Sequence, residues 1–194
     1  MCGRYSLFTE EENQEIMRIV KSLNNRYPGN NMNMKHGEIF PTNTASILCL
    51  KENGIKPELS TWGFPRFGAK GVIINARSET ADSRPMFKKS LYTRRRIVPS
   101  TGFYEWSQSG TKTKYRFTLP NDPTLYMAGI FNKFQDENKF VILTTSANNS
   151  IADVHNCMPV ILPKDMAEDW IMSEEFALSY LHATVPMLQR EVSA

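Results

Sequence analysis

The stretch that decides the fold is residues 44–63, TASILCLKENGIKPELSTWG. Two runs of strand-forming residues, 44–50 and 56–63, flank Glu52-Asn53-Gly54. An Asn-Gly pair between two such runs is typical of a tight β-hairpin, because both residues tolerate the positive φ of its turn. The sequence therefore predicts an antiparallel hairpin, and Cys49 in its first strand is expected to be a buried apolar residue.

Further strands follow, separated by turn residues. They are predicted at 3–8, 72–77, 96–107, 114–119, 125–134, 139–146 and 159–162. The turns between them are predicted at Ser109-Gly110, Pro120-Asn121-Asp122 and Asp136-Glu137-Asn138, and residues 28–38 are predicted to form a loop.

Helices are fewer. Thr9 and Glu12 have the spacing of a capping box, and apolar residues at helical spacing continue the helix to about Arg26. A short helix is predicted over 86–94, one or two helical turns over 151–155, and two helices beyond Pro163. Many antiparallel strands with a few peripheral helices define an α+β fold, which we expect to form a single domain over residues 1–194.

Composition narrows the class of protein. The 194 residues are 41% hydrophobic and 22% charged, which is typical of a compact globular chain. The net charge of +3 is too mild to establish nucleic-acid binding, and the basic run 88–96 is typical of a solvated helix face. Charged residues stand where a secretory signal would need an apolar run, so a cytoplasmic protein without a membrane partner is predicted. The three cysteines are expected to be reduced, with no metal and no cofactor.

Four segments look unlike generic core: CGRY at 2–5, INARSET at 74–80, GFYEW at 102–106 and TTSANNSIADVHNCMP at 144–159. They supply Cys2, Asn75, Glu105 and His155, each at or beside the end of an apolar strand. Taken singly, the amide, the carboxylate and the imidazole each have an ordinary structural explanation. Their combination with a cysteine predicts a catalytic site.

The chemistry starts from Cys2. Removal of Met1 would leave a free α-amine beside the thiol, and the amine, with a pKa of about 7.7–8.0, is the natural first attacker of a carbonyl. An aldehyde would give an imine, which the neighbouring thiol closes to a thiazolidine. Glu105 is suited to transfer the amine proton, His155 to protonate a sugar ring oxygen, and Asn75 to hold the substrate.

In order and spacing, these four segments resemble the SOS response-associated peptidase (SRAP) family from Cys2 to about Pro163. The resemblance implies an SRAP-like domain with mostly antiparallel, curved or barrel-like sheets. It implies a monomer that acts in the DNA-damage response and associates with the nucleoid when bound to DNA. Its partner would be single-stranded DNA with abasic sites, including single-strand to double-strand junctions. Its catalytic positions fall on Cys2, Asn75, Glu105 and His155, with Cys2 linked as a thiazolidine to the abasic aldehyde.

The resemblance also implies DNA contacts that do not depend on sequence. The residues it assigns to them are Arg4, Arg77 and Arg84 for phosphates, Pro41 for the junction, and Trp62, Phe67 and Trp106 for stacking. Three departures from the family pattern stand out. Cys157 replaces an arginine, Phe67 replaces a tryptophan, and Gly37-Glu38-Ile39-Phe40 replaces the commoner stretch before Pro41.

Other functions stay open at this point. An N-terminal cysteine also fits a glutamine amidohydrolase, although no clamp for the glutamine α-carboxylate is evident. It fits a cysteine peptidase in which Cys2, Glu105 and His155 cleave peptide bonds, either in other proteins or only the Met1–Cys2 bond of this chain, and the resemblance leaves room for lyase-type chemistry. A non-covalent single-strand binding module would need the arginines and not Cys2.

Overall fold

The computed structural model describes residues 2–11, 13–28, 34–108 and 110–193. Its strands are β1 (Tyr5–Leu7), β2 (Gly37–Ile39), β3 (Thr44–Lys51), β4 (Gly54–Trp62), β5 (Phe64–Pro65), β6 (Val72–Ile73), β7 (Asn75–Arg77), β8 (Arg95–Ser100), β9 (Gly102–Trp106), β10 (Lys114–Thr118), β11 (Leu125–Phe134), β12 (Glu137–Ser146), β13 (Cys157–Pro159), β14 (Ile161–Leu162) and β15 (Gln189–Val192). Its α-helices are α1 (Gln14–Arg26), α2 (Ser78–Ala81), α3 (Pro85–Thr93), α4 (Ala167–Met172) and α5 (Glu174–Tyr180), and a 3-10 helix (Lys164–Met166) precedes α4.

Two sheets contain most of these strands. The larger has the order β13-β12-β4-β3-β8-β11-β14, with β7 also paired to β12, and the smaller has the order β15-β10-β9-β1-β2. Pairing is antiparallel except where β12 runs parallel to β4 and to β7. The predicted α+β fold, with mostly antiparallel, barrel-like sheets and peripheral helices, is confirmed.

The β3–β4 hairpin has the predicted pairing. Its register runs from Thr44 opposite Thr61 to Lys51 opposite Gly54, so that Glu52 and Asn53 form the turn. Gly54 has a φ of 91°, which L side chains rarely adopt, so the glycine is needed where the turn meets the second strand. Cys49 is buried, as expected.

The start of α1 differs from the prediction. The helix begins at Gln14, where the Asn13 side chain accepts a hydrogen bond from the backbone of Ile16 at 3.1 Å. Asn13 also accepts from the Thr124 hydroxyl at 2.9 Å, so contacts distant in sequence select it as the cap instead of Thr9. Glu12 of the predicted capping box lies outside the described residues, and the predicted end at Arg26 is confirmed.

Several other boundaries moved. Strand β2 lies partly within the predicted loop, and β15 was not predicted. Residues 151–155 form one helical turn, closed by the backbone N–H of His155, which donates to the carbonyl of Ile151 at 2.9 Å, and β13 begins at Cys157, two residues earlier than predicted. The β11–β12 turn uses Gln135 and Asp136, with φ of 47° and 68°, and so lies one residue earlier than predicted. Ser109 is outside the described residues. The short helix predicted over 86–94 and the two helices predicted beyond Pro163 are confirmed as α3, α4 and α5.

The bend at Gly102 matters most for the site. The predicted strand 96–107 is divided there into β8 of the larger sheet and β9 of the smaller. Gly102 has a φ of 145°, and a Cβ at this position would lie 2.8 Å from the carbonyl oxygen of Phe117. Only glycine fits this close approach, which turns β9 toward β1 and brings Glu105 to the N-terminal segment.

Within the part of the chain that the structure describes, no helix is both long enough and apolar enough to cross a membrane.

Candidate functional site

The pairing of β1 with β9 brings Cys2 to Glu105. Tyr5 lies opposite Phe103, and the backbone N–H of Tyr104 donates to the carbonyl of Arg4 at 2.9 Å. Continued toward the N-terminus, this antiparallel register runs the first residues past Glu105. Cys2 is fully buried, and burial, followed by the nearby charge of Glu105, raises the pKa of its thiol well above the usual value.

Glu105 and His155 form a buried pair. Their Oε2 and Nε2 atoms are 3.9 Å apart, and the Oε1 atom of Glu105 is buried without a hydrogen-bond partner among the described residues. Burial raises the pKa of Glu105 to about 7, so the carboxyl is about half protonated at neutral pH. A group with this pKa both accepts and returns a proton efficiently near pH 7.

The backbone of Cys157 fixes the His155 ring. Around Nδ1 lie the carbonyl oxygen of Cys157 at 3.0 Å, its backbone nitrogen at 3.2 Å and its Sγ at 3.4 Å. Burial lowers the pKa of His155, so the imidazole is mostly neutral at pH 7. Cys157 is itself buried, so at this position the chain supports the imidazole instead of presenting a phosphate contact.

Asn75 begins β7 and has an unusual amide. Both its Oδ1 and its Nδ2 atoms are buried and lack hydrogen-bond partners in the described part of the chain. An unsatisfied buried polar group costs about 1–3 kcal/mol, so it marks a place where a polar ligand group would bind favourably. The structure gives Asn75 no hydrogen bond to Cys2, Glu105 or His155.

Trp62 connects Asn75 to the rest of the site through the core. Its indole N–H donates to the carbonyl of Ile74 at 3.0 Å, and its ring meets that of Tyr5 edge-on at 5.2 Å. Trp62 is fully buried, so it has no face free to stack on a base. This corrects the stacking role that the resemblance implied, and Trp62 is left out of the proposed DNA surface.

Tyr5 is a further candidate residue of the functional site, and it was not predicted from the sequence. Its ring is fully buried, and its hydroxyl lacks a partner among the described residues. Burial and the neighbouring thiol of Cys2 together raise its pKa strongly, so the hydroxyl stays protonated as a donor. The sequence shows that Tyr5 lies three residues after Cys2. It does not show that the hydroxyl lacks a partner, because this depends on residues that are distant in the sequence.

The guanidinium of Arg4, two residues after Cys2, lies between two aromatic rings. It is 4.2 Å from the ring centre of Phe40 and 4.8 Å from that of Trp106. Its Nη1 donates to Glu38 at 3.1 Å. The structure thus brings Arg4 and Trp106 together, and it adds Glu38 and Phe40, which the sequence showed only as a departure from the family pattern.

The other predicted DNA contacts are accessible to different degrees. Arg77 is exposed two residues after Asn75 and pairs with Glu79 at 3.2 Å, and Arg84 is exposed directly before α3. Phe67 is 74% exposed, and Pro41 is half-buried in the turn before β3. Their accessibility suits contact with DNA, and their roles stay predictions.

Fold and site together define an α+β protein with a cysteine near its N-terminus, buried beside a carboxylate–imidazole pair. The model of the family described as SOS response associated peptidase (SRAP) matches residues 1–193. The chain therefore belongs to the SRAP family.

Named relatives agree with this assignment, and a solved structure has a similar fold. The abasic site processing protein YoqW of Bacillus subtilis is 30% identical, over 94% of this chain and 85% of its own length. The abasic site processing protein YedK of Escherichia coli is 26% identical, over 90% of this chain and 81% of its own. A crystal structure of a protein from Bacteroides thetaiotaomicron superimposes with a TM-score of 0.79 at 22% identity, covering 98% of this chain and 91% of that one. The last likeness concerns the fold alone.

Proposed function

We propose that this protein traps abasic sites in single-stranded DNA by forming a thiazolidine between Cys2 and the ring-opened aldehyde, after Met1 has been removed. The observation that carries the proposal is the buried thiol of Cys2 beside the Glu105–His155 pair. The relatives named as abasic site processing proteins support the choice of substrate.

The first step opens the sugar. An abasic deoxyribose is mostly a cyclic hemiacetal, and its aldehyde appears when the ring oxygen receives a proton and the hydroxyl proton is removed. Glu105 and His155, 3.9 Å apart, act as a pair that holds one proton for this exchange. Because burial raises the pKa of Glu105 to about 7, the pair is ready to donate in one step and accept in the next.

The second step forms the ring. The α-amine of Cys2 attacks the aldehyde carbon, and the resulting carbinolamine loses water to give an imine. The thiol then adds to the imine carbon, a C–S bond forms, and the thiol proton passes to the nitrogen. Burial keeps the thiol protonated, so it supplies that proton itself. The net reaction releases one water, and it requires a free α-amine, which is why Met1 must be absent.

Asn75 and the surface residues position the DNA. The two unpartnered atoms of the Asn75 amide would hydrogen-bond the sugar or its phosphate. Arg4, Arg77 and Arg84 would contact phosphates, Phe67 and Trp106 would stack on unpaired bases, and Pro41 would meet the junction with double-stranded DNA. We expect the protein to act as a monomer on any sequence, associated with the nucleoid during the SOS response.

The test uses a synthetic single strand with one abasic site and protein whose loss of Met1 has been verified by mass spectrometry. We expect an adduct that survives denaturing electrophoresis, with a mass one water below the sum of its parts. Cys2→Ala should abolish it, whereas Cys49→Ala, which removes another buried thiol, should leave it. Absence of an adduct from the wild-type protein would refute the proposal, and an adduct with Cys2→Ala would refute the role of the thiol.

A second activity is favoured by the same geometry. The Glu105–His155 pair lies beside Cys2, so we propose that it also assists autopeptidase cleavage of the Met1–Cys2 bond. Protein made by cell-free translation without methionine aminopeptidase should then lose Met1 on its own, and Glu105→Gln should retain it. Complete retention by the wild-type protein would restrict the site to crosslinking.

A further inference from the structure

Glu38 bridges two cations at the edge of the candidate site. Its Oε2 atom lies 3.1 Å from Nη1 of Arg4, and its Oε1 atom lies 2.5 Å from Nζ of Lys114. Glu38 belongs to β2, opposite Ser6, and Lys114 lies opposite Trp106, so sheet pairing brings the three charges together from distant parts of the chain. All three side chains are partly accessible.

Aromatic rings limit how these two cations can be approached. Phe40 and Trp106 lie over the guanidinium of Arg4 at 4.2 and 4.8 Å, and the ammonium of Lys114 lies 4.6 Å from the ring centre of Tyr104. The edge of Arg4 and the ammonium of Lys114 both point at one carboxylate. The pair of cations therefore forms a preorganised site for an anion that presents two oxygens and one negative charge.

We propose that Glu38 occupies, in the DNA-free protein, the position of a backbone phosphate next to the lesion, and that Lys114 binds this phosphate together with Arg4. The proposal rests on the function proposed above, because it takes single-stranded DNA as the ligand. A phosphodiester has one negative charge and two non-bridging oxygens, which match what the Glu38 carboxylate offers to the two cations. DNA must displace Glu38 to use this site.

The displacement has a measurable consequence. When a DNA strand binds, the contacts of Glu38 with Arg4 and Lys114 are broken. A phosphate is also brought close to the negative charge of the Glu38 carboxylate. Glu38→Gln removes that competition and should tighten binding about fivefold, the factor expected for one partly exposed ion pair. Glu38→Gln should also make the binding constant depend more steeply on salt concentration. Lys114→Gln should weaken binding and lower the slope of log K against log salt by about 0.7, the value for one phosphate contact on a single strand.

The experiment measures the binding of undamaged oligothymidylate by fluorescence anisotropy between about 50 and 200 mM salt. This strand has no aldehyde and cannot crosslink, so the result is independent of the thiazolidine chemistry. Glu191→Gln is the control for Glu38→Gln, since it removes the same charge from the opposite edge of the smaller sheet, where Glu191 pairs with Arg116 at 3.3 Å. Lys139→Gln is the control for Lys114→Gln, because Lys139 is similarly buried and pairs with Glu137 at 2.5 Å.

The proposal is supported if Glu38→Gln binds more tightly than Glu191→Gln, and if Lys114→Gln loses salt dependence that Lys139→Gln keeps. It is overturned if each variant behaves like its control, or if the wild-type protein does not bind the strand at all. If Glu38→Gln does not fold, the comparison of Lys114→Gln with Lys139→Gln decides. Crosslinking to an abasic strand, measured in parallel, shows separately whether the underlying function holds.

Discussion

Replacing Glu105 with Gln should stabilise the protein in alkaline solution. Burial moves the pKa of this carboxyl from 4.5 to about 7 in the folded state. Below pH 4.5 the group is protonated in both states. Between pH 4.5 and about 7 the unfolded chain loses its proton first, so stability falls as the pH rises, and above about 7 the loss is complete.

The size of the effect follows from the two pKa values. One pH unit corresponds to about 1.4 kcal/mol, so ionisation of Glu105 costs about 3 kcal/mol of the free energy of unfolding. Gln is similar in size and cannot ionise. The stability of Glu105→Gln relative to the wild-type protein should therefore increase by about 2 to 3 kcal/mol between pH 5 and pH 8.

Urea unfolding followed by tryptophan fluorescence at pH 5, 6, 7 and 8 measures this difference. Glu58→Gln is an informative control, because hydrogen bonds and charge at Glu58, chiefly from Lys51, outweigh burial and lower its pKa. Glu58 is therefore ionised in both the folded and the unfolded state over this pH range, so the stability of Glu58→Gln relative to the wild-type protein should be lower and should change little between pH 5 and 8, whereas that of Glu105→Gln rises. Parallel pH profiles for the wild-type protein and Glu105→Gln would show that the carboxyl is not held neutral by burial, and the reasoning would fail.

Three further predictions concern the pH dependence of crosslinking and the buried side chains of Trp62 and Arg95. The wild-type crosslinking rate should be highest near pH 7, where the Glu105–His155 pair holds one proton about half of the time, and Glu105→Gln should be slower at that pH. Rates from a quenched gel assay that do not change with pH between 6 and 8 would contradict this. Trp62→Phe should lose about 1 to 3 kcal/mol of stability, because it removes the hydrogen bond to the Ile74 carbonyl. The variant should still bind undamaged single-stranded DNA as the wild-type protein does. Weaker binding by the folded variant would show that Trp62 does contact DNA. Arg95→Met should lower the free energy of unfolding, measured in urea, by at least about 3 kcal/mol. The reason is that the guanidinium donates to four backbone carbonyls at 2.6 to 3.1 Å, those of Leu91, Tyr92, Trp170 and Ile171. A loss below about 1 kcal/mol would show that these carbonyls find other partners.

Much of the local structure could be read from the sequence. The hairpin at residues 44–63, the strand 125–134 and the end of α1 at Arg26 depend on alternation, helical spacing and turn residues that act over a few positions. Errors arose where a distant contact outweighed a local signal. Asn13 caps α1 because it also contacts Thr124, and β15 forms because β10 offers an open edge.

For the candidate site, the sequence by itself determined which chemical groups are available: a cysteine at position 2, an amide at 75, a carboxylate at 105 and an imidazole at 155. Only the tertiary structure decided which of them meet. The pairing of Tyr5 with Phe103 and the bend at Gly102 bring the thiol and the carboxylate together, and Glu38 faces its two cations through the same sheet. Burial, which likewise arises only from packing, raises the pKa of Glu105 and withdraws Trp62 from the surface. The physical reason is that side-chain identity is fixed locally, whereas sheet register and desolvation depend on residues about a hundred positions apart.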